Sequence, residues 1–319
     1  KKIMTKLNEN KIIDIFQTKL GNKKFVSEDV EIFTLGKTKI IAKTDTMVQS
    51  TDIPQKMKLS DAARKSVIAC VSDFACKGVK PKYGIISINL PKSISRIKID
   101  NIANGFKKAC REYGISIIGG DTNEGKEIVF NVCIFGNSNK IVTRKGSNEG
   151  DLIFTTGPFG YTSLGLNILL NNNKKKNNLI KKSLKSVTNP KPRLNYGLKN
   201  KKYFTSSMDS SDGLSTTLNE MSKQSKKKFI INKIPLNRDL EMYLKKQKID
   251  LNSVVFHGGE EYEFVFTVPS KYKKIIFKNS KLLKTPIIEI GYVTLGKGVY
   301  LEKKGKETIL KDLGWKHFR

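Results

Sequence analysis

Met208-Asp209-Ser210-Ser211-Asp212-Gly213-Leu214 sets two carboxylates among small polar residues, directly ahead of a helical run that reaches about Lys226. Asp212 reads as an N-cap or as a ligand, since an aspartate at a helix start can serve either end. The same arrangement recurs along the chain, with an aspartate beside small or polar neighbours at a strand end or helix start. Asp29 follows Ser27-Glu28, Asp45 follows Thr44, Asp73 follows Ser72 and Asp121 follows Gly119-Gly120.

Around these aspartates the periodicity switches between strand and helix. An amphipathic helix is predicted from Glu9 to Leu20, a strand over 37–45 and a helix from Leu59 to about Lys77 with Ala63, Val67, Cys70 and Phe74 as its apolar stripe. Asp73 shares the neighbouring row with Ala62, Ser66 and Ala69, small residues that let another element or an ion approach. A strand follows over Gly84–Leu90, a helix over Ser95–Tyr113, a short strand over Ile115–Ile118 that empties into Gly119-Gly120-Asp121, and a strand over Ile128–Phe135. The turn Gly146–Asp151 marks the expected domain boundary, giving units 1–148 and 149–319. Beyond it come a strand at Leu152–Thr156, helices at Thr162–Leu170 and from Pro192, and strands at Tyr262–Val268 and Ile287–Tyr292; the Asn/Lys tract 171–178 reads as a surface loop. Strands and helices mixed in both halves predict an α/β or α+β class in two domains.

Composition narrows the function. Of 319 residues, 60 are Lys or Arg and 29 are Asp or Glu, so the net charge is +31. That charge is spread along the chain without an arginine-rich arm or aromatic-interleaved basic motif, so it reads as a lysine-rich surface, and no specific nucleic-acid partner is expected. No apolar run approaches a membrane span, and Lys1-Lys2-Ile3-Met4 leads into polar sequence without an export signal. Cys70, Cys76, Cys110 and Cys133 form no C-x-x-C pair, which argues against zinc and, with no signal segment, for a cytoplasmic setting. Gly36-Lys37-Thr38 has the tail of a phosphate loop, but Glu31 stands where its first glycine is required, so it reads as a turn. Where acids are outnumbered, six aspartates in such settings fit hard-cation chemistry. Mg²⁺ takes oxygen ligands and completes its shell with water and substrate phosphates.

The motifs resemble a known family. Asp209-Ser210-Ser211-Asp212-Gly213-Leu214 is similar to the D-x-S-D-G-L element of thiamine-monophosphate kinases, Gly258-Gly259-Glu260-Glu261-Tyr262-Glu263 to their G-G-E-D-Y-E signature, and Gly314-Trp315-Lys316-His317-Phe318 to their G-W-x-H-F tail. Thr44-Asp45, Val71-Ser72-Asp73, Gly119-Gly120-Asp121-Thr122 and Thr143-Arg144 match further elements in order. The resemblance implies an aminoimidazole-ribonucleotide synthetase-like fold, with an N-terminal domain contributing to a dimer-spanning β-barrel and a C-terminal α/β domain, in a homodimer. It implies phosphoryl transfer from ATP to thiamine monophosphate. Asp29, Thr44, Asp45, Asp73, Asp121, Asp209 and Asp212 would hold Mg²⁺; Gly120, Arg144, Ser211 and Tyr113 would touch ATP; Asp52, Glu260 and Trp315 would face thiamine monophosphate. Asp45, Asp121, Asp212 and Arg144 are the expected catalytic set. Read without the family, Trp315 is first of all a C-terminal core plug. The sequence departs from the family at Ser27-Glu28-Asp29-Val30-Glu31, at Lys43 where a small hydroxyl residue is usual, at Glu261 for Asp and at Asp52 for His. The alternatives are another ATP-using member of the superfamily, such as a ribonucleotide cyclo-ligase, a selenophosphate synthetase or a hydrogenase-maturation factor, or a non-catalytic basic nucleic-acid-binding relative. The selenophosphate type needs a reactive Cys near the N-terminus, and the first here is Cys70.

Overall fold

The computed structural model describes residues 7–22, 26–171 and 177–318, so Lys1–Met4 and most of the Asn/Lys tract lie outside the described residues. In chain order the first half runs α1 (Glu9–Lys19), β1 (Glu31–Leu35), β2 (Thr38–Val48), α2 (Gln49–Asp52), α3 (Leu59–Lys77), β3 (Pro81–Leu90), α4 (Arg96–Tyr113), β4 (Ser116–Glu124) and β5 (Val129–Asn137). These strands form one sheet in the order β1-β2-β5-β3-β4. Leu35 pairs with Thr38, so Gly36-Lys37 is the two-residue turn of a hairpin, as expected, and no phosphate loop. α4 is bounded as the sequence implies, with Ser95 accepting from the Lys98 N–H and Gly114 left-handed at its end.

The second half runs β6 (Asp151–Thr155), α5 (Tyr161–Leu170), α6 (Asn178–Thr188), α7 (Leu194–Asn200), β7 (Ser206–Asp209), α8 (Leu214–Ser225), β8 (Lys228–Ile231), α9 (Arg238–Lys246), α10 (Leu251–Phe256), β9 (Phe264–Pro269), α11 (Lys273–Leu282), β10 (Ile288–Thr294), β11 (Gly298–Lys303) and β12 (Lys306–Ile309). Its sheet is ordered β12-β11-β8-β10-β6-β9-β7, with only the β11–β8 pair parallel. Both sheets are open in the monomer, and the class is mixed α/β.

α3 is what joins them. It touches β2 and β5 of the first sheet and β7 and β9 of the second, and it is buried from Ala62 to Lys77 except at Ala69. Val67 and Phe74 pack with Val132 and Ile134 on one side and Phe264 and Phe266 on the other, in one continuous apolar cluster. Each such side chain contributes about 1.5–3 kcal/mol when fully buried. A helix so placed cannot be amphipathic, and its polar residues must find partners inside the protein.

One expectation fails. The strand predicted to end at Ile118 continues through Gly119-Gly120-Asp121 to Glu124, because β4 stays in parallel register with β3 as far as Leu90. Gly120 is the residue that allows it: a Cβ there would lie 1.9 Å from the Ile86 carbonyl oxygen.

Candidate active site

β7 delivers Asp209 to the end of the second sheet, and the Ser210–Gly213 turn leads into α8. Two distant segments close on that turn through backbone hydrogen bonds. The Ser210 N–H donates to the Glu263 carbonyl (2.9 Å), and the Glu260 N–H to the Ser211 carbonyl (2.6 Å). From the C-terminal tail the Trp315 N–H donates to the Asp212 carbonyl (2.8 Å). The tail comes so near that a Cβ on Gly314 would lie 2.3 Å from the Asp212 carbonyl oxygen. Three motifs separated by about fifty residues each thus meet at one turn. The helix N-cap is Gly213, without a side-chain cap, so Asp212 is released from capping.

The acids of Gly258–Glu263 divide the labour. Glu261 is buried and accepts from the Gly160 N–H (2.6 Å) and the Thr162 hydroxyl (2.9 Å) at the start of α5. Burial nevertheless pushes its carboxyl up to about 7. Glu263 accepts from the Thr156 hydroxyl (2.6 Å) and pairs with Arg193. Only Glu260 turns elsewhere, toward Lys65 Nζ at 2.5 Å.

Beside the turn lies a group of acids drawn from three segments. Asp29, Asp73 and Asp209 are all buried, and each offers a carboxylate oxygen within 4.8 Å of the others. Asp29 is the paired member. Arg144 donates to one of its oxygens through Nε (3.0 Å) and Nη2 (2.5 Å), while Lys77 Nζ lies 2.6 Å from the other. Burial alone would raise its carboxyl, but Lys77 and Arg144 hold it well below the usual range. Asp73 and Asp209 share a hydrogen bond; burial lifts Asp73 far up, and burial with the Asp29 charge lifts Asp209 to about 7. Lys43 Nζ reaches Asp73 (3.0 Å) and Asp45 (3.7 Å) from β2. Buried oxygens crowded this closely suit a hard divalent cation, which relieves the repulsion that otherwise forces them to hold protons.

The other expected residues fall into three places. Asp45 belongs to the cluster through Lys43 and Cys70, whose thiol leans toward Asp45 (3.6 Å). Asp212 is exposed at its rim; surrounding protein atoms, and then the Glu9 charge on α1, lift its carboxyl to about 6, while His317, Lys43 and Arg144 act against them. Ser211 is exposed beside it. Asp52 accepts from the Val48 N–H (2.7 Å), and buried Tyr262 lies within the fields of Glu260, Asp45, Asp209 and Asp52 together, which ties the expected substrate carboxylates to the cluster. Trp315 is 54% exposed, which removes the core-plug alternative. Tyr113 ends α4 with its hydroxyl bonded to Arg64 and with Glu112 and Arg193 nearby. Arg144 is occupied by Asp29 and by the Ser27 hydroxyl (3.0 Å).

Asp121, Thr44 and Gly120 are not brought into the cluster of this chain. The cross-strand row of Asp45 runs Val132, Ile86, Gly120, and the next row runs Thr46, Asn131, Ser87, Asp121. Asp121 therefore points to the sheet face opposite α3, three strands or about 14 Å from β2. Thr44, adjacent to Asp45, points to that open face as well.

Sequence reasoning missed Lys77, Lys65, Glu28 and Tyr262. The available signal was the presence of Arg64, Lys65 and Lys77 within a helix otherwise rich in small and apolar residues; all three are at most 2% exposed.

A carboxylate cluster at the seam of these two sheets defines an AIR synthase-like protein. Residues 27–137 match the family described as AIR synthase related protein, N-terminal domain. The fold superposes on a chain solved as AaThiL complexed with AMPPCP and TMP, with TM-score 0.87, 28% identity and 99% of both chains covered. It also matches thiamine monophosphate kinase from Aquifex aeolicus, with TM-score 0.82, 26% identity, and 93% of this chain and 97% of that one covered. In sequence it is 67% identical over 316 residues to the thiamine-monophosphate kinase of Nitrosopumilus maritimus (strain SCM1), covering 99% of this chain and all of the relative. The chain belongs to the thiamine-monophosphate kinase family.

Proposed function

We propose that the chain transfers the γ-phosphate of ATP to thiamine monophosphate with Mg²⁺, giving thiamine diphosphate and ADP. The observation that carries this reading is the meeting of the Asp29–Asp73–Asp209 cluster, the Glu260 loop and the Trp315 tail at the Asp209–Gly213 turn. The relative solved with AMPPCP and TMP supports the choice of substrates.

A phosphate oxygen of thiamine monophosphate attacks the γ-phosphorus, and the bond to the β,γ-bridging oxygen breaks with its electron pair leaving on ADP. The nucleophile is already anionic at neutral pH, so no strong general base is needed, and the difficulty is repulsion between two anions. Mg²⁺ held by Asp29, Asp45, Asp73, Asp209 and Asp212 supplies the charge neutralisation when bound. Arg144 orients Asp29 and adds positive charge; Ser211 and Gly120 offer polar backbone to ATP. Asp52 and Glu260 place negative charge near the cationic thiamine, and Trp315 offers it a flat face.

The chain acts as a homodimer in this reading, with Asp121, Thr44 and Gly120 completing a site across the interface. What supports it is the open sheet face, where Phe33, Leu35, Tyr83 and Ile85 are exposed, and the uncovered β4 edge. Residues 1–148 and 149–319 act as two domains, supported by the partition of strands between the sheets at 137 and 151. Among the described residues no helix is long and apolar enough to cross a membrane.

The test is thiamine diphosphate formation by the purified chain from ATP, thiamine monophosphate and Mg²⁺, with an EDTA control. No product, or product unaffected by EDTA, overturns the reading.

A further inference from the structure

On β2 alternate side chains turn toward α3, and Ile41 and Met47 on that face are buried. Lys43 and Asp45 lie between them and reach the aspartate cluster. The Lys43 ammonium stands 3.0 Å from an Asp73 oxygen and 3.7 Å from an Asp45 oxygen, joining carboxylates that come from β2 and α3. A Mg²⁺ held by Asp45 and Asp73 would supply the same charge neutralisation from the space the ammonium approaches, since carboxylate oxygens are the ligands it takes. A single positive charge with three donors and a dication with carboxylate ligands compete for one position.

The other two side-chain cations are differently placed. Lys77 is completely buried and donates to the Ser207 carbonyl (2.8 Å), and Arg144 is held by Ser27 as well as Asp29. Both are anchored to neutral groups, away from Asp45. Lys43 is 24% exposed, bonds to Asp73 and leans on Asp45, on the side of the cluster where Asp212 is open.

We propose that the Lys43 ammonium stands in for one divalent ion between Asp45 and Asp73. The chain then binds one metal ion fewer than it would with a small residue at position 43, and its carboxylates stay assembled without metal. This rests on the metal reading given under Proposed function.

The test counts Mn²⁺ bound per chain by electron paramagnetic resonance, with AMPPCP present, in the wild-type chain, Lys43→Ser and Lys43→Arg. Lys43→Ser should bind one more ion than wild type, and Lys43→Arg, which keeps the charge, should match wild type. In EDTA the melting temperature of Lys43→Ser should fall below that of wild type and recover with Mn²⁺, whereas wild type should shift little. Near-UV circular dichroism in excess Mn²⁺ shows that each variant is folded. Equal, non-zero counts in all three chains overturn the role of Lys43 alone. The absence of bound Mn²⁺ from every chain overturns the metal reading on which it rests.

Discussion

Replacing Lys77 by Met tests the electrostatics of the site at the point where burial is complete. Lys77 is 0% exposed, and its ammonium lies 2.6 Å from Asp29, 3.0 Å from Glu28 and 2.8 Å from the Ser207 carbonyl. Methionine keeps most of the apolar stem, so little cavity forms and the change reports chiefly on charge. It leaves Asp29 with Arg144 as its partner, Glu28 short of a cation and one buried carbonyl without its donor. Removing one partner from a buried ion pair costs about 3–5 kcal/mol. At roughly 2 °C per kcal/mol for a chain of this size, the melting temperature in EDTA should drop by about 6–10 °C. Lys77→Met combined with Asp29→Asn should be less destabilised than the sum of the two single variants, by about 2 kcal/mol, because the stranded charge is gone. Thermal melts followed by far-UV circular dichroism measure all four chains. A loss below about 1 kcal/mol for Lys77→Met, or additivity of the two changes, would refute the view that Lys77 neutralises the cluster from inside.

Asp212→Asn should lower turnover by about 10²–10³-fold while leaving the far-UV spectrum unchanged, since the residue is exposed and caps nothing; product formation at the wild-type rate would remove it from the site. Trp315→Ala should raise the KM for thiamine monophosphate about two- to fivefold, the range for a half-exposed cation–π contact, with the KM for ATP unchanged. Glu261 holds its proton more tightly in the folded chain, where its pKa is about 7 against an ordinary 4.5. The unfolded chain therefore binds fewer protons there between about pH 4.5 and 7, and the fold loses stability as pH rises through that window. Glu261→Gln should remove about 3 kcal/mol of that decline in a pH series of melts, and an unchanged slope would contradict it.

The periodic elements were legible because their causes are local. Leu59–Lys77, Ser95–Tyr113 and the Gly36-Lys37 turn follow from spacing and from capping residues a few positions away. Local evidence also misled: Gly119-Gly120-Asp121 has the composition of a turn, but ladder pairing to β3 and the close approach to Ile86 keep it extended. α6, α9 and α11 went unread for a related reason, their lysine-rich faces masking the apolar positions that pack inward.

By itself the sequence determined which residue types are candidates for the chemistry and the order in which they occur, since composition and spacing are written along the chain. It determined the α/β class and the family for the same reason. Only the tertiary structure decided which acids share a space. Asp29 looks like a solvated loop residue and is buried against Lys77 and Arg144; Asp121 looks equivalent to Asp45 and faces the other side of its sheet; Glu261 and Glu263 look like site residues and hold α5 and Arg193. Burial and facing depend on contacts between segments from about fifty to more than a hundred residues apart, and no pattern confined to one segment encodes them.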